Sequence, residues 1–225
     1  MVAPDAQAPL PRIYMISSGE EISETGIFIC SQLQLLPENI PVMLQIREKH
    51  FHSDQIKTLL SNIADYQKRQ EIRILLNTNI HGIVTTDIDG IHIPDKHIMN
   101  DTETSLGNKI LGYSAHDESC IKRAENHGAS YIIFSPIFDT PSKRIYGKPQ
   151  GLRKLKKICS STKLPVYALG GISLTNAHHC LEAGAYGIAG ISLFKNLETL
   201  HDNLKSLHAI IKNYQFTEHS VRHNS

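Results

Sequence analysis

The chain has 225 residues, of which 40% are hydrophobic and 20% are charged, and its formal net charge is +1. This balance excludes a general electrostatic attraction to nucleic acid or anionic lipid, so any phosphate must be bound by a local site. No apolar stretch approaches the roughly 18 residues that indicate a membrane span. The first residues lack the features of a secretory signal, and the four cysteines lack the short spacing of a zinc or redox motif. We therefore expect a cytoplasmic protein with reduced thiols.

Eight short apolar runs rich in Ile, Val and Tyr follow one another along the chain and predict eight strands. They cover residues 12–16, 42–47, 72–76, 90–93, 109–113, 131–134, 166–169 and 187–191. Amphipathic segments separate most of these runs, and the alternation favours parallel strands, because parallel neighbours need a crossover connection. We therefore predict an α/β fold, a single (β/α)8 TIM barrel over residues 12–213, with a doubly wound open sheet as the alternative.

The ends of several predicted helices and of the domain can be read from particular residues. Ser53 is predicted as the N-cap of one helix, and two later helices are predicted to end at Gly128 and Gly184. The fourth strand-helix unit is the weakest, because IPDKHIMND leaves room for only a short helix. Residues 1–11 and 214–225 are expected to be disordered.

The second run ends in a polar segment that suits a phosphate site. Alternation along a strand places Gln45, Arg47 and Lys49 on one face and Ile46 and Glu48 on the other. In a barrel whose active site lies at the carboxyl ends of the strands, these three donors would point into the mouth. A guanidinium beside an ammonium suits a phosphate or a diphosphate. The alternative is an edge strand with a solvated, charged end.

Polar residues also stand where later runs end. Asn77 closes the third run and Ser114 closes the fifth. The loop after the sixth run, SPIFDTPSKRIYGKPQG, carries Thr140, Ser142 and Lys143. A polar connection of 17 residues is long for a compact domain, which favours a binding role over simple linkage.

The seventh and eighth runs end in small residues at the places where barrels often bind phosphate. The seventh ends in Gly170 and Gly171, and the eighth is followed by Ile191 and Ser192 at the predicted start of a helix. Open glycine backbone and a helix N-terminus at these two strand ends predict a phosphate site. Glycine also serves any tight turn between a strand and a helix.

Thirteen histidines raise the question of a metal site. The close pairs, His50 with His52 and His178 with His179, are interpreted as surface positions without acidic partners at ligand spacing. His116 differs because it follows the fifth run in GYSAH, at the predicted mouth. There it either serves as a general acid or base or simply begins the next helix.

These segments resemble the thiamine phosphate synthase/TenI family, whose members are small (β/α)8 barrels. The resemblance runs from about Arg12 to about Lys205. QIREK is similar to the family's Q-x-R-E-K, DGIHIP to D-G-V-H, GYSAH to G-x-S-x-H, and SPIFDTPSK to G-P-x-F-x-T-x-T-K. YALGGI and the segment from Gly187 to Ser192 resemble the last two strand ends. Six short segments in the family's order make the match specific.

In the synthases of this family, diphosphate leaves a pyrimidine methyl carbon, and the nitrogen of a thiazole phosphate captures the resulting cation. The resemblance implies that the pyrimidine diphosphate is bound by Gln45, Arg47, Lys49 and Asn77, with Ser114 and Lys143 close to the leaving group. The thiazole phosphate side is predicted to comprise Thr140, Ser142, Gly170, Gly171, Ile191 and Ser192. The predicted catalytic residues are His116, Lys49 and Lys143.

The chain departs from the family where the synthases hold Mg²⁺. They use an Asp directly after the Asn of the third strand and another after the D-G-V-H turn, and here those positions hold Thr78 and His97. Neither is a hard carboxylate ligand. We therefore expect no cofactor, and Mg²⁺ only under the synthase alternative, where Asp89 and Asp95 are the candidate ligands.

This departure, together with HIPD, TPSK, YALGGI and GIAGI, favours the TenI branch. Some TenI proteins are thiazole tautomerases, which move a proton in a thiazole phosphate carboxylate without a metal. We predict such a tautomerase with His116 as the acid or base. The alternatives are a thiamine phosphate synthase coupling hydroxymethylpyrimidine diphosphate to thiazole phosphate, and a non-catalytic ligand-sensing barrel. The expected partners are these small molecules, with no nucleic acid or membrane, and a homo-oligomer stays open.

Overall fold

The computed structural model describes residues 9–21, 23, 25–67, 71–77, 88–94, 108–140 and 148–222. Eight parallel strands form a closed barrel in chain order. They are β1 (Ile13–Ile16), β2 (Val42–Ile46), β3 (Ile72–Asn77), β4 (Gly90–Ile93), β5 (Ile110–Ala115), β6 (Tyr131–Phe134), β7 (Val166–Leu169) and β8 (Gly187–Gly190). The pairing of β1 with β8 closes the barrel and excludes the open sheet, whose edge strands would stay unpaired. The predicted (β/α)8 barrel is confirmed.

The helices of the described part of the chain surround this barrel. They are α1 (Ile27–Gln34), α2 (Ser53–Gln67), α3 (Glu118–Asn126), α4 (Gly151–Ser161), α5 (Ala177–Glu182) and α6 (Leu197–Arg222). Their apolar faces cover the outward side chains of the strands, as in α2, where Ile56, Leu59 and Ile63 are fully buried. None of the described helices is long and apolar enough to cross a membrane.

The start of α2 differs by one residue from the prediction. His52, and not Ser53, is the N-cap, because the His52 carbonyl accepts the first helical hydrogen bond, from the Ile56 N–H at 3.1 Å. The Gln55 side chain in turn accepts from the His52 N–H at 2.8 Å, which satisfies a backbone donor in the manner of a capping box. The Gln55 side chain therefore helps to hold the first turn of α2.

The described structure extends beyond the strands of the barrel on both sides. Leu10 packs against the cluster inside the barrel, and the Pro11 carbonyl accepts a hydrogen bond from the Tyr167 hydroxyl at 2.6 Å. At the other end α6 continues to Arg222, because residues 197–222 contain neither Gly nor Pro to stop a helix. The disorder predicted for 1–11 and 214–225 stays a prediction. Residues 1–8, 223–225 and most of the weak fourth unit lie outside the described residues.

Three tyrosines, Tyr14, Tyr131 and Tyr167, fill the inside of the barrel and are called here the tyrosine triad. Their rings pack edge to face, with centroids 5.3–5.5 Å apart and interplanar angles of 70–85°. All three side chains are fully buried. The barrel is therefore a packed core and not a pore, and ligands are confined to its ends.

Glycine on neighbouring strands makes room for the triad. A Cβ at Gly112 of β5 would overlap the Tyr131 ring, and a Cβ at Gly187 of β8 would lie 2.7 Å from a Tyr167 ring carbon. Both positions therefore need a residue without a side chain, since the rigid rings cannot withdraw within a packed interior.

Gly112→Ala should lower the free energy of unfolding by about 2–3 kcal/mol, because the added methyl overpacks the barrel against Tyr131. Gly128→Ala is the matched control, since its Cβ would meet nothing within 4 Å and only the left-handed backbone at φ +71° opposes it. The control should cost about 1 kcal/mol. Urea denaturation of both variants measures the difference, and equal costs would contradict the packing argument.

Candidate active site

Polar side chains from four neighbouring strands converge inside the carboxyl end of the barrel. The side chains of Gln45 in β2, Asn77 in β3 and His92 in β4 are buried, with at most 4% of each residue exposed. Ser114 of β5 is half-buried. Each occupies the inward parity of its strand, shared with apolar residues such as Met43 below it. The structure therefore brings together the predicted residues Gln45, Asn77 and Ser114.

A continuous hydrogen-bond chain links the core to this mouth. The Tyr14 hydroxyl donates to the Gln45 amide oxygen at 3.0 Å and lies 2.6 Å from the Tyr131 hydroxyl. The Tyr131 oxygen lies 3.1 Å from Nδ1 of His92, whose Nε2 lies 2.9 Å from the Ser114 hydroxyl. We call these five residues the inner hydrogen-bond chain. It ends at Ser114, where the barrel opens.

The inner hydrogen-bond chain is uncharged. Burial, and then the positive charge of Arg47, lower the pKa of His92 to about 3. Burial raises the pKa of both Tyr14 and Tyr131 above the usual value for a phenol. At neutral pH His92 is therefore a neutral imidazole with both nitrogens engaged, and not a free general base.

Arg47 and Lys49 follow Gln45 beyond the end of β2. Arg47 is half-buried and Lys49 is exposed, so both cations are accessible at the mouth. The backbone N–H of Arg47 donates to the Ser17 hydroxyl at 2.8 Å, which ties the ends of β1 and β2 together. The positive charge of Arg47 also contributes to the lowered pKa of His92.

Glu48 faces the opposite way, as alternation predicts. Its buried carboxylate accepts hydrogen bonds from the backbone N–H of Gly19 at 3.2 Å and of Glu21 at 3.1 Å. A Cβ at Gly19 would lie 3.2 Å from the Arg47 carbonyl, so the loop after β1 runs tightly over the end of β2. Glu48 therefore holds the loop beside Arg47 and stabilises the rim of the mouth.

His116 lies at the carboxyl end of β5 and is half-buried. Its Nδ1 lies 2.9 Å from the Ser135 carbonyl, which can only accept a hydrogen bond, so Nδ1 carries a proton. Its own carbonyl accepts from the Lys154 ammonium at 3.0 Å. Nε2 is thus the nitrogen of neutral His116 that can take up a proton.

The loops after β6 and β7 form one wall of the mouth. The Ile137 N–H donates to the Leu169 carbonyl at 2.9 Å, and the Phe138 N–H donates to the Gly170 carbonyl at 3.0 Å. Gly170 and Gly171 have φ angles of +105° and +65°, and a Cβ at Gly170 would lie 2.8 Å from Pro136. Only glycine permits this backbone and this approach.

The predicted thiazole phosphate residues surround this wall. The Thr140 hydroxyl donates to the Phe138 carbonyl at 3.2 Å, and Gly171 is exposed. Ile191 packs against the cluster inside the barrel, whereas Ser192 is exposed at the start of a 3-10 turn, Ser192–Phe194. The pairing of β7 with β8 puts these two strand ends side by side.

Four candidates are not among the described side chains of the mouth. Ser142, Lys143 and Asp95 lie outside the described residues. Asp89 precedes β4 at the amino end of the barrel, where its carboxylate accepts from the Ile74 N–H at 2.7 Å and pairs with Arg73. It is removed from the mouth by the length of the strand, so the structure corrects its selection as a candidate metal ligand.

The inner side chains that the described strands present at the mouth are amides, hydroxyls, imidazoles and a guanidinium, with no carboxylate among them. Mg²⁺ prefers hard oxygen ligands and above all carboxylates. The described strand ends therefore supply no carboxylate ligand for Mg²⁺, and the remaining candidate, Asp95, lies outside the described residues.

Sequence reasoning missed Tyr14 and Tyr131, which connect Gln45 to His92. The signal was available in part, because each tyrosine interrupts an aliphatic run at the parity of the barrel interior. A buried phenol needs a hydrogen-bond partner. Which partner it finds depends on neighbours from distant strands, which a single sequence does not specify.

The histidine pair on α5 also differs from the interpretation. His178, His179 and Glu182 place one ligand atom each within 4.8 Å of one another, because one helical turn brings Glu182 next to His179. An acidic partner is therefore present at ligand spacing. The cluster is on the outside of the barrel and largely exposed, so it is separate from the inner hydrogen-bond chain.

A family model described as thiamine monophosphate synthase matches residues 13–194, which span all eight strands and the mouth residues described above. The chain belongs to this family. A protein of Aquifex aeolicus named "Putative thiamine-phosphate synthase 2" is 34% identical over 186 residues, 82% of this chain and 98% of the relative. A thiamine-phosphate synthase of Chloroflexus aurantiacus is 31% identical over 170 residues, 75% of this chain and 79% of the relative.

The barrel is also similar to solved structures. It superposes on a thiamine phosphate pyrophosphorylase from Pyrococcus furiosus with a TM-score of 0.74 at 21% identity, covering 91% of this chain and 96% of that one. At this identity the likeness concerns the fold. The assignment to the thiamine monophosphate synthase family rests on the sequence match. The solved structure supports the barrel fold.

The neutral, buried state of His92 predicts a pH dependence of stability. Between pH 6.5 and about 3 the unfolded chain binds a proton at His92 that the folded chain does not, so stability should fall as the pH is lowered through this window. The contribution is at most about 1.4 kcal/mol per pH unit. Urea unfolding of wild type and His92→Gln from pH 7 to 4 measures it. Their difference in unfolding free energy should change with pH, and a constant difference would contradict the prediction.

Proposed function

We propose that the protein is a thiamine phosphate synthase, which couples hydroxymethylpyrimidine diphosphate to thiazole phosphate and releases diphosphate. The observation that carries this is the convergence of Gln45, Arg47, Asn77 and Ser114 at one end of the barrel of a thiamine monophosphate synthase family member. The names of the relatives favour this activity over the tautomerase that the departure at Thr78 and His97 suggests.

In the proposed reaction the bond between the pyrimidine methylene carbon and the diphosphate oxygen breaks, and the electron pair leaves with diphosphate. The thiazole ring nitrogen supplies the pair for the new carbon–nitrogen bond, so the products are thiamine phosphate and diphosphate. Negative charge grows on the leaving group as the first bond breaks. Arg47 and Lys49, with Lys143 from the loop after β6, supply cations that stabilise this charge.

The second substrate is assigned to the wall formed by the loops after β6 and β7. Its phosphate is proposed to bind exposed backbone at Gly171, the neighbouring Ser192, and the hydroxyls of Thr140 and Ser142. Backbone N–H groups and hydroxyls can accommodate a phosphate dianion without a large positive charge. Two anion-binding sites on different strands would hold the reacting rings between them.

Synthase activity is tested with the purified full chain, both substrates, and parallel samples with Mg²⁺ and with a chelator. We expect thiamine phosphate and diphosphate to form in equal amounts. Chromatography of thiamine phosphate and an enzymatic diphosphate assay measure the two products. No product in either sample, with folded protein confirmed by circular dichroism, would reject the proposed function.

Arg47→Ala should weaken binding of the pyrimidine diphosphate by about 1.5–3 kcal/mol, because it removes a charge-assisted contact. Arg123→Ala is the matched control, since Arg123 is exposed in the last turn of α3 and its removal should leave affinity unchanged. Isothermal titration with the diphosphate substrate measures both. Equal affinity of Arg47→Ala and wild type would show that the guanidinium does not bind the substrate.

A thiazole tautomerase is the second candidate, and the position of the His116 ring proton on Nδ1 favours it. With Nδ1 donating to the Ser135 carbonyl, Nε2 is the basic nitrogen of a half-buried imidazole at the mouth. His116→Ala should then abolish tautomerisation of the thiazole phosphate carboxylate and leave its affinity nearly intact. Proton NMR of the substrate follows the reaction, and unchanged turnover in the variant would remove His116 from the mechanism.

A further inference from the structure

The inner hydrogen-bond chain has a single direction, and Gln45 sets it. A phenol has one proton, and the Tyr14 proton is donated to the Gln45 amide oxygen at 3.0 Å. Tyr14 can therefore only accept in its second contact, so the hydroxyl of Tyr131, 2.6 Å away, donates to it. With that bond the one proton of Tyr131 is also committed.

The direction of the hydrogen bonds from Tyr14 and Tyr131 also fixes the proton on His92. The Tyr131 oxygen can only accept from Nδ1 of His92 at 3.1 Å, so Nδ1 carries the proton of the neutral ring. Nε2 then offers a lone pair to the Ser114 hydroxyl at 2.9 Å, and Ser114 donates to it. The only proton of the Ser114 hydroxyl points inward, so toward the mouth its oxygen offers only lone pairs.

We propose that Tyr14, Tyr131 and His92 are positioning residues that hold Ser114 as a hydrogen-bond acceptor for a ligand N–H group. An anionic phosphate oxygen has no proton to donate and would meet the lone pair of Ser114. This differs from a place beside the leaving diphosphate, which the family resemblance implies for Ser114. In the proposed synthase, the N–H donor that would meet Ser114 is an amino group on the pyrimidine ring. This ligand assignment rests on the proposed function.

The direction of the chain is measurable without any substrate. Nitrogen-15 NMR of the full-length protein labelled at histidine distinguishes Nδ1–H from Nε2–H imidazole, and the His92→Gln spectrum assigns the resonance. We expect His92 in the Nδ1–H form at neutral pH. An Nε2–H form would mean that Gln45 donates through its amide nitrogen and that the whole chain runs the other way, which would overturn the proposal.

Tyr14→Phe should reverse the direction of the inner hydrogen-bond chain without substituting any residue at the mouth. Tyr131 loses its acceptor, so its hydroxyl turns to donate to Nδ1 of His92, and the ring proton moves to Nε2. The matched control is Tyr167→Phe, because Tyr167 belongs to the same triad but donates to Pro11, outside the inner hydrogen-bond chain. The control should keep the Nδ1–H form. An Nδ1–H form in Tyr14→Phe would overturn the proposal, and the wild-type spectrum decides should the variant not fold.

The ligand part has its own readout in the synthase assay. In Tyr14→Phe the KM for the pyrimidine diphosphate should rise roughly threefold to tenfold, the worth of one neutral hydrogen bond, with the KM for the thiazole phosphate unchanged. An equal rise in both would contradict a role for Ser114 toward the pyrimidine. A protein without synthase activity but with Nδ1–H His92 would reject the proposed function and leave the positioning role in place.

Discussion

Edge-to-face packing of the tyrosine triad is the interaction on which both ends of this barrel depend. Three large rings fill the interior, but each brings a hydroxyl that cannot be left unpaired in a dry core. The hydroxyls are satisfied in two directions. Tyr14 and Tyr131 reach Gln45 and His92 near the carboxyl end, and Tyr167 reaches Pro11 at the amino end. Buried phenols need hydrogen-bond partners, and this requirement connects the core to the mouth. It also fixes the segment at Pro11, just before β1.

Most of the fold follows from the sequence. Eight aliphatic runs with amphipathic segments between them leave few arrangements other than a closed parallel barrel, and each predicted strand lies within two residues of an observed one. The chain ends were harder. Tyr167 orders Pro11 through a contact across 156 residues, and nothing local in the sequence indicates it. The helix α6 extends to Arg222, because residues 197–222 contain neither Gly nor Pro.

The site was predictable where it depends on strand parity and hidden where it depends on neighbours. Alternation alone put Gln45 inside and Glu48 outside the barrel, as observed. Asp89 precedes the run 90–93, so the sequence alone places it at the amino end, away from the mouth. The role of His92, in contrast, depends on partners from other strands. The preference for a tautomerase rested on Thr78 and His97, whereas the relatives along the rest of the chain are named synthases. The family match over residues 13–194 shows the family, and the choice between the two activities belongs to the assays.

One half of the mouth is held by backbone hydrogen bonds before a ligand arrives. Beyond β6 and β7 the backbone pairing continues through Ile137 and Phe138 to Leu169 and Gly170, so the wall is an extension of the sheet. Its conformational entropy is already lost when the chain folds, and a phosphate bound there need not order a loop. Such a preorganised surface retains a common anion well and discriminates weakly among the groups attached to it. Selectivity between substrates then falls to the opposite half, where a few directed hydrogen bonds distinguish one ring edge from another.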